Sequence, residues 1–492
     1  MTDSDRESIA IATATDGPNG EMLRLLRLLA LLVLVAIPLR VLAAGWLPRD
    51  DVRRHAAKAV SGRDWSEILV LRPGVTVDEH PGWHATLAAL HALGADSTRA
   101  VAMAAIALAA TLFLVVPLVR FRHPGAWLAA LATIALFDPR FYPRLLSGRP
   151  LVLSMTALVL LLTSWRSLCG PRPSRRALAA FTLLFAAVCW CHGNWYLWLF
   201  PIGVVFLAGK WRAARRLAGC FVAGTALGAL ATGHPVDYLV QWVRVLLWAL
   251  AGGDPQPLLA SEFQPAEVNA AILLVVGGLL LWKRPPLRRL LTDPVFLTLA
   301  LAWLLGLRWS RFDSDWAMPA LLVWTATLLD ESWQGAEWRA PRHALAVGFA
   351  AAVLFLAVTG NRGGRWTTAE EGRHLAASDP AIAPWLPAAG GVLYSNSMGL
   401  FYDTFFENPH APWRYVLGFE PGLMPPDELA VLRATQRSGA ADASFLPWVA
   451  KMRSADRLVI ARADPRPPAI DALDWATPFD GLWIGRLRPA AP

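Results

Sequence analysis

Apolar residues run along this chain in blocks, and short polar or basic stretches part them. Eleven blocks stand at 24–46, 98–119, 124–138, 150–165, 177–191, 193–209, 214–232, 267–282, 294–308, 316–330 and 343–359. A helix needs roughly 20 apolar residues to cross a bilayer, and tilt or a proline break shifts that length. The pattern therefore predicts about 11 transmembrane helices. The fifth and sixth blocks are parted only by Cys191-His192-Gly193-Asn194, which reads as a tight turn. Beyond about residue 360 the apolar blocks stop. Strand-like runs at 391–394, 457–462 and 482–487 then alternate with helix-like stretches, as in a small α/β domain.

Orientation follows from the basic residues. Arg24, Arg120, Arg166, Lys210, Arg284 and Arg342, each with basic neighbours, occupy alternate loops. Placing them all in the cytoplasm puts the N-terminus inside and the C-terminal domain outside a plasma (inner) membrane. Residues 1–22 are then a disordered cytoplasmic tail, 23–359 the membrane domain with an external loop at 47–97, and 360–492 an extracytoplasmic domain. The first block lacks a convincing cleavage site and stays as a signal anchor.

Composition sharpens this reading. The chain is 55% apolar and 17% charged, with mean hydropathy +0.40 and 24 tryptophans, which favour the membrane boundary. A net charge of +9 could signal nucleic acid, but here the charge follows the loops, so none is expected as a partner. Four cysteines make no disulfide framework.

The candidate chemistry gathers in the outward loops. Just beyond the first block, Asp50-Asp51 offers paired carboxylates suited to general-base work or to a shared metal, or to capping a helix that runs through Ala59. His80 and His84 have a spacing some zinc sites use, with no third ligand nearby. The second outer loop holds Asp138 with Arg140, Arg144 and Arg149, and Arg308 and Arg311 follow a later block. These five arginines sit where the positive-inside bias disfavours them. A bidentate fork for phosphate would explain their presence; so would headgroup snorkelling or, for Arg308 and Arg311, pairing with Asp313 and Asp315.

The order of these motifs resembles the GT-C superfamily of membrane glycosyltransferases, and within it the catalytic subunit of oligosaccharyltransferase. Asp50-Asp51 occupies the place of the family's first acidic motif and Asp138 that of its second. Ala260-Ser261-Glu262-Phe263-Gln264-Pro265 looks like its Ser-Glu-x-Gln-Pro-type segment, four spans before the soluble domain. Arg308 or Arg311 is placed like an arginine that contacts the lipid-linked phosphate. The second motif here has one acid where the family has two, two fewer spans precede the Glu262 segment, and the acceptor-reading Trp-Trp-Asp-Tyr-Gly signature is absent.

The resemblance implies transfer of a sugar from a polyprenyl-(di)phosphate donor to a glycan, lipid or protein acceptor at the external face. Asp51, Asp50 and Glu262 would be catalytic. Arg140, Arg144, Arg149, Arg308, Arg311, His80 and His84 would bind substrate. A divalent Mg or Mn ion would sit on Asp51 and Asp138. The alternative is a non-catalytic transporter or an assembly subunit of an envelope-polysaccharide system.

Overall fold

The computed structural model describes residues 18–75, 78–251, 264–265, 270–334, 340–367, 374–462 and 464–489. Each of the eleven apolar blocks contains a helix. The helices used below are α1 (Pro18–Ala43), α2 (Asp51–Ser61), α3 (Pro81–Ala92), α4 (Thr98–Val115), α5 (Pro150–Ser164), α6 (Arg175–Cys191), α7 (Trp211–Leu230), α8 (Pro235–Ala251), α9 (Ala340–Thr359) and α10 (Met398–Glu407).

Among the described residues, four stretches are long and apolar enough, by length and composition, to cross a membrane: 20–43, 98–120, 150–168 and 341–359. Counting α7 and the start of α8 as one bent span makes five, and several other apolar helices are shorter. On α1, Leu25, Leu28, Leu32 and Leu39 face outward, as do Leu345, Phe349 and Leu356 on α9. Apolar area of that extent suits hydrocarbon rather than water.

The stretch between the seventh and eighth apolar blocks, 233–266, is in part a helix. Pro235 opens α8 after a 108° bend from α7. Pro at the first helical turn loses no hydrogen bond. Tyr238 and Trp242, one turn apart, then bury one face while Val236 and Leu247 stay exposed. That face made no apolar block, so hydropathy passed over it.

The loops assigned alternately to the two sides collect at opposite ends of α5. At one end the Arg27 guanidinium donates to the Arg122 carbonyl, and Asp330 accepts from the His123 amide at 2.8 Å. There Arg216 donates to the carbonyls of Leu168 and Pro171, and Arg289 pairs with Glu331. At the other end lie α2, the 138–149 loop, His192, Arg311 and the C-terminal domain.

That domain carries a five-stranded sheet in the order β2-β1-β3-β5-β4, with β1 (Val392–Ser395), β2 (Arg414–Tyr415), β3 (Arg457–Ala461), β4 (Leu473–Phe479) and β5 (Leu482–Leu487). β1 pairs in parallel with β2 and β3, and β5 antiparallel with β3 and β4. β2 is two residues long and β4 contains Pro478, an edge-strand residue, so neither showed in the pattern. The 47–97 loop continues the sheet past β2, where Leu69 bridges Tyr415 and the Val70 amide donates to the Tyr415 carbonyl at 2.9 Å.

Helix α2 lies between the two layers. Asp50 caps it, its carboxylate accepting from the Asp51 amide at 2.7 Å. Val52, Ala56 and Ala59, spaced i, i+4 and i+7, join the bundle core, and Ala57 joins the core of the C-terminal domain. At Gly148 a Cβ would come within 2.7 Å of Val52 and 2.8 Å of Ile106, and its φ of +65° is one that glycine adopts freely. Asp403 of α10 binds both Arg49 and Arg53, the latter at 2.8 Å, and Asp403 and Arg53 are each almost fully buried.

Two predictions follow from this arrangement. Reporter fusions after Arg176, Arg216, Arg289 and Arg342 should read cytoplasmic, and those after Asp78 and Gly390 external; an external signal in the first set would break the alternation. Asp403→Ala strands a buried guanidinium and should cost about 3–5 kcal/mol of stability. A melting curve matching the unaltered protein would show that this pair does not hold the domains together.

Candidate functional site

A cavity of about 270 Å³ opens where α2, the 78–80 segment, the start of α5, the turn after α6, Arg311 and the C-terminal domain meet. Residues 51, 54 and 55 share one face of α2, and all three line it. Asp51 is bound on both oxygens: Arg54 donates to Oδ1 at 2.8 Å and Arg149 lies 2.7 Å from Oδ2. The Tyr402 hydroxyl adds a hydrogen bond. Burial by itself would raise the Asp51 pKa, but Arg149 and Arg54 outweigh it and hold the carboxyl well below its ordinary range. Asp50 stands at the rim, 3.7 Å from Arg149 and half-exposed.

Arg54 stacks over Phe419 at 4.1 Å. Its Nη1, like His55 Nε2 and His80 Nδ1, is buried with no hydrogen-bond partner among the described residues. Such atoms are costly unless a ligand or water satisfies them. All three residues line the cavity.

Glu79 faces Arg54 and Arg311 with its Oε2 3.6 Å from His80 Nε2. Its carboxyl is pushed up to about 7, chiefly by burial; Arg54 and Arg311 pull it down while Asp51 and Asp78 add to the rise. The turn after α6 packs directly on it: a Cβ at Gly193 would lie 2.8 Å from Glu79 Cγ. His192 Nε2 faces the Asn194 amide nitrogen at 3.0 Å and Arg311 Nη2 at 3.2 Å, both donors, so its ring proton sits on Nδ1, 2.8 Å from Ser154 Oγ.

Of the residues singled out in the sequence, Asp50, Asp51, His80, Arg149 and Arg311 line the cavity. His84 sits one layer behind, 2.8 Å from His55. Arg144 also stands behind, forked on Asp315 at 3.0 Å through two nitrogens, while Arg311 approaches the same carboxylate at 3.5 Å. Asp315 is thus the structural partner foreseen for Arg311, its fork with Arg144 was not foreseen, and Arg311 lines the cavity as well.

Arg140 is exposed beside Asp138, and Arg308 is exposed over Trp309; neither they nor Asp138 line the cavity. Glu262 lies outside the described residues, though the Gln264 carbonyl of its segment accepts from the Ser310 amide, next to Arg311. Among the described residues no group of three or more His, Cys, Asp or Glu is arranged for a metal. Asp51 is held by guanidiniums on both oxygens, and Asp138 pairs with Arg140.

The sequence reading passed over Arg54, His55, Glu79, His192, Asn194 and Tyr402. Arg54 and His55 stand one turn after Asp51, so the helix expected there already placed them on its face. His192 was visible only as a turn, and nothing in the sequence tied Tyr402 to Asp51.

The raised Glu79 gives a signed pH dependence. Its folded pKa lies above the ordinary 4.5, so its contribution to stability is fullest below 4.5 and declines as pH rises through about 7. Glu79→Gln should melt like the unaltered protein near pH 4.5 and increasingly higher than it toward pH 7.5. A difference that does not change with pH would show that Glu79 ionises normally.

No protein-family model and no curated protein matches the chain. Among solved structures it is similar to the archaeal oligosaccharyltransferase AglB from Archaeoglobus fulgidus, in complex with an inhibitory peptide and a dolichol-phosphate. The likeness has a TM-score of 0.47 and 13% identity, and spans 88% of this chain and 69% of that one. A likeness of that degree lends no weight to the chemistry of the cavity.

Proposed function

We propose that the chain is a membrane glycosyltransferase that moves a sugar from a polyprenyl-(di)phosphate donor to a glycan, lipid or protein acceptor at the external face. The observation that carries this reading is the convergence of Arg54, Arg149 and Arg311 on one cavity at the end of apolar helices. Three guanidiniums beside an ionised carboxylate suit a phosphate group, whose oxygens accept forked hydrogen bonds. A small void of about 10 Å³ adjoins the cavity, sharing Leu151, His192, Asn194 and Arg311 with it and lined as well by Ser154, Leu158, Leu197, Trp198, Asp315 and Trp316.

In the reaction, Arg54, Arg149 and Arg311 stabilise the charge that grows on the phosphate as it leaves the anomeric carbon. Asp51 stays ionised and fixes Arg54 and Arg149, so its main part is to hold the donor site rather than to accept a proton. Direct attack by the acceptor from the opposite side inverts the anomeric centre. Tyr402, Asn194 and Glu420 on the wall offer hydrogen bonds to sugar hydroxyls.

Lysine keeps the charge of arginine and loses the fork. Arg149→Lys and Arg311→Lys should therefore weaken binding of a polyprenyl-phosphate sugar by about 10- to 100-fold at unchanged melting temperature. Arg140→Lys and Arg308→Lys should be nearly silent. Lost stability with unchanged donor affinity would mean that Arg149 and Arg311 only hold loops together.

A further inference from the structure

Behind the cavity runs a chain of hydrogen bonds that the donor site does not use. Asp78 Oδ1 accepts from the Trp65 indole nitrogen and from the His80 amide, each at 3.1 Å, which fixes the carboxylate. Its Oδ2 meets His84 Nδ1 in a short contact. His84 Nε2 lies 2.8 Å from His55 Nδ1. His55 Nε2 is buried, has no hydrogen-bond partner among the described residues, and belongs to a residue that lines the cavity.

We propose that Asp78, His84 and His55 form a proton relay whose cavity end, His55 Nε2, takes the proton of the attacking acceptor; this role rests on the glycosyl-transfer reading of the same site.

The tautomers follow one from another. A carboxylate oxygen only accepts, so His84 carries its proton on Nδ1 and leaves a lone pair on Nε2. That lone pair requires a donor on the facing His55 Nδ1. His55 then has its proton on Nδ1, and its lone pair is on the buried Nε2. The scheme needs an ionised Asp78 and a neutral His84. Burial raises the Asp78 pKa, while the hydrogen bonds from His84 and the His80 amide and the charge of Lys58 favour its ionised form. Burial lowers the His84 pKa and Asp78 raises it, the net lying below the ordinary 6.5.

The groups facing His55 are Arg54 and Asp51 of its own helix, His84 of α3, Glu79 and His80 before α3, Arg149 and His192. Burial, then Arg54, His84, Arg149 and His192, keep its pKa well below the ordinary 6.5. A phosphate bound among those arginines offsets their charge and makes the ring a better acceptor. Asp78, through His84, then stabilises the imidazolium.

The step balances. The acceptor oxygen or nitrogen bonds to the anomeric carbon as its proton passes to His55 Nε2. The bond from the anomeric carbon to the phosphate oxygen breaks, and its electron pair leaves on the phosphate. His55 later returns the proton to solvent. His55 is the proton acceptor here, and Asp78 and His84 are positioning residues.

Asp78→Asn tests the relay without removing a hydrogen bond. The amide NH₂ donates to His84 Nδ1, which forces the His84 proton to Nε2 and the His55 proton from Nδ1 to Nε2, turning the acceptor into a donor. The measurement is ¹⁵N NMR of ring-labelled histidine in the full chain in detergent, with His55→Gln to assign the signals. It is paired with turnover and binding of a polyprenyl-phosphate sugar. The expected result is a proton on His55 Nδ1 in the unaltered protein and on Nε2 in Asp78→Asn. Turnover should fall about 10²- to 10⁴-fold in both variants at unchanged donor affinity and melting temperature. A proton on Nε2 in the unaltered protein overturns the relay, and so does full turnover in Asp78→Asn with donor bound. If the tautomers are as stated but no polyprenyl-phosphate donor binds, the glycosyl-transfer reading falls and the role of His55 in it falls too.

Discussion

The structure depends on burying the charged helix α2 without leaving its charges unpaired. Asp51, Arg53, Arg54 and His55 are all buried where the helical bundle meets the C-terminal domain. Each ion withdrawn from water costs several kcal/mol unless a partner or hydrogen bonds replace the lost solvation. The partners come from distant parts of the chain: Asp403 for Arg53, Arg149 for Asp51, Phe419 for Arg54 and His84 for His55. The bundle, the 78–84 segment and the C-terminal domain must therefore all be in place before α2 can be buried. One helix couples the layers and builds the cavity.

The same burial divides the acids by environment. Asp51 sits between two guanidiniums and stays ionised, while Glu79 meets burial and two neighbouring acids and keeps its proton up to about 7. Carboxylates near one cavity thus take different protonation states, a separation that acid–base chemistry at neutral pH uses. The imidazoles add directional detail. The ring proton of His192 lies away from Arg311, and the one assigned to His55 lies toward His84, each set by the partner at that nitrogen.

The arginines that break the positive-inside bias fall into three positions with different physical causes. Arg149 and Arg311 reach the cavity, Arg144 backs it through Asp315, and Arg140 and Arg308 lie exposed at the surface. Topology bias alone marks all five alike, because it counts charge per loop and says nothing about direction.

Hydropathy determined the helical blocks, since contiguous apolar residues favour helices whatever surrounds them. Local rules likewise determined the Asp50 cap, the helix opening at Pro81 and three of the five strands. They also placed Asp51, Arg54 and His55 on one face, because helical periodicity is a short-range property. Tertiary structure decided α8, whose buried face appears only against its neighbours, and the short or proline-bearing strands β2 and β4, which pairing defines. It also decided that Asp51 is bound by Arg149, that Tyr402 reaches the cavity from the C-terminal domain, and that Arg308 does not reach it. These outcomes depend on contacts between residues about 100 to 350 positions apart, and no local pattern in the chain encodes which distant charge will meet a buried one.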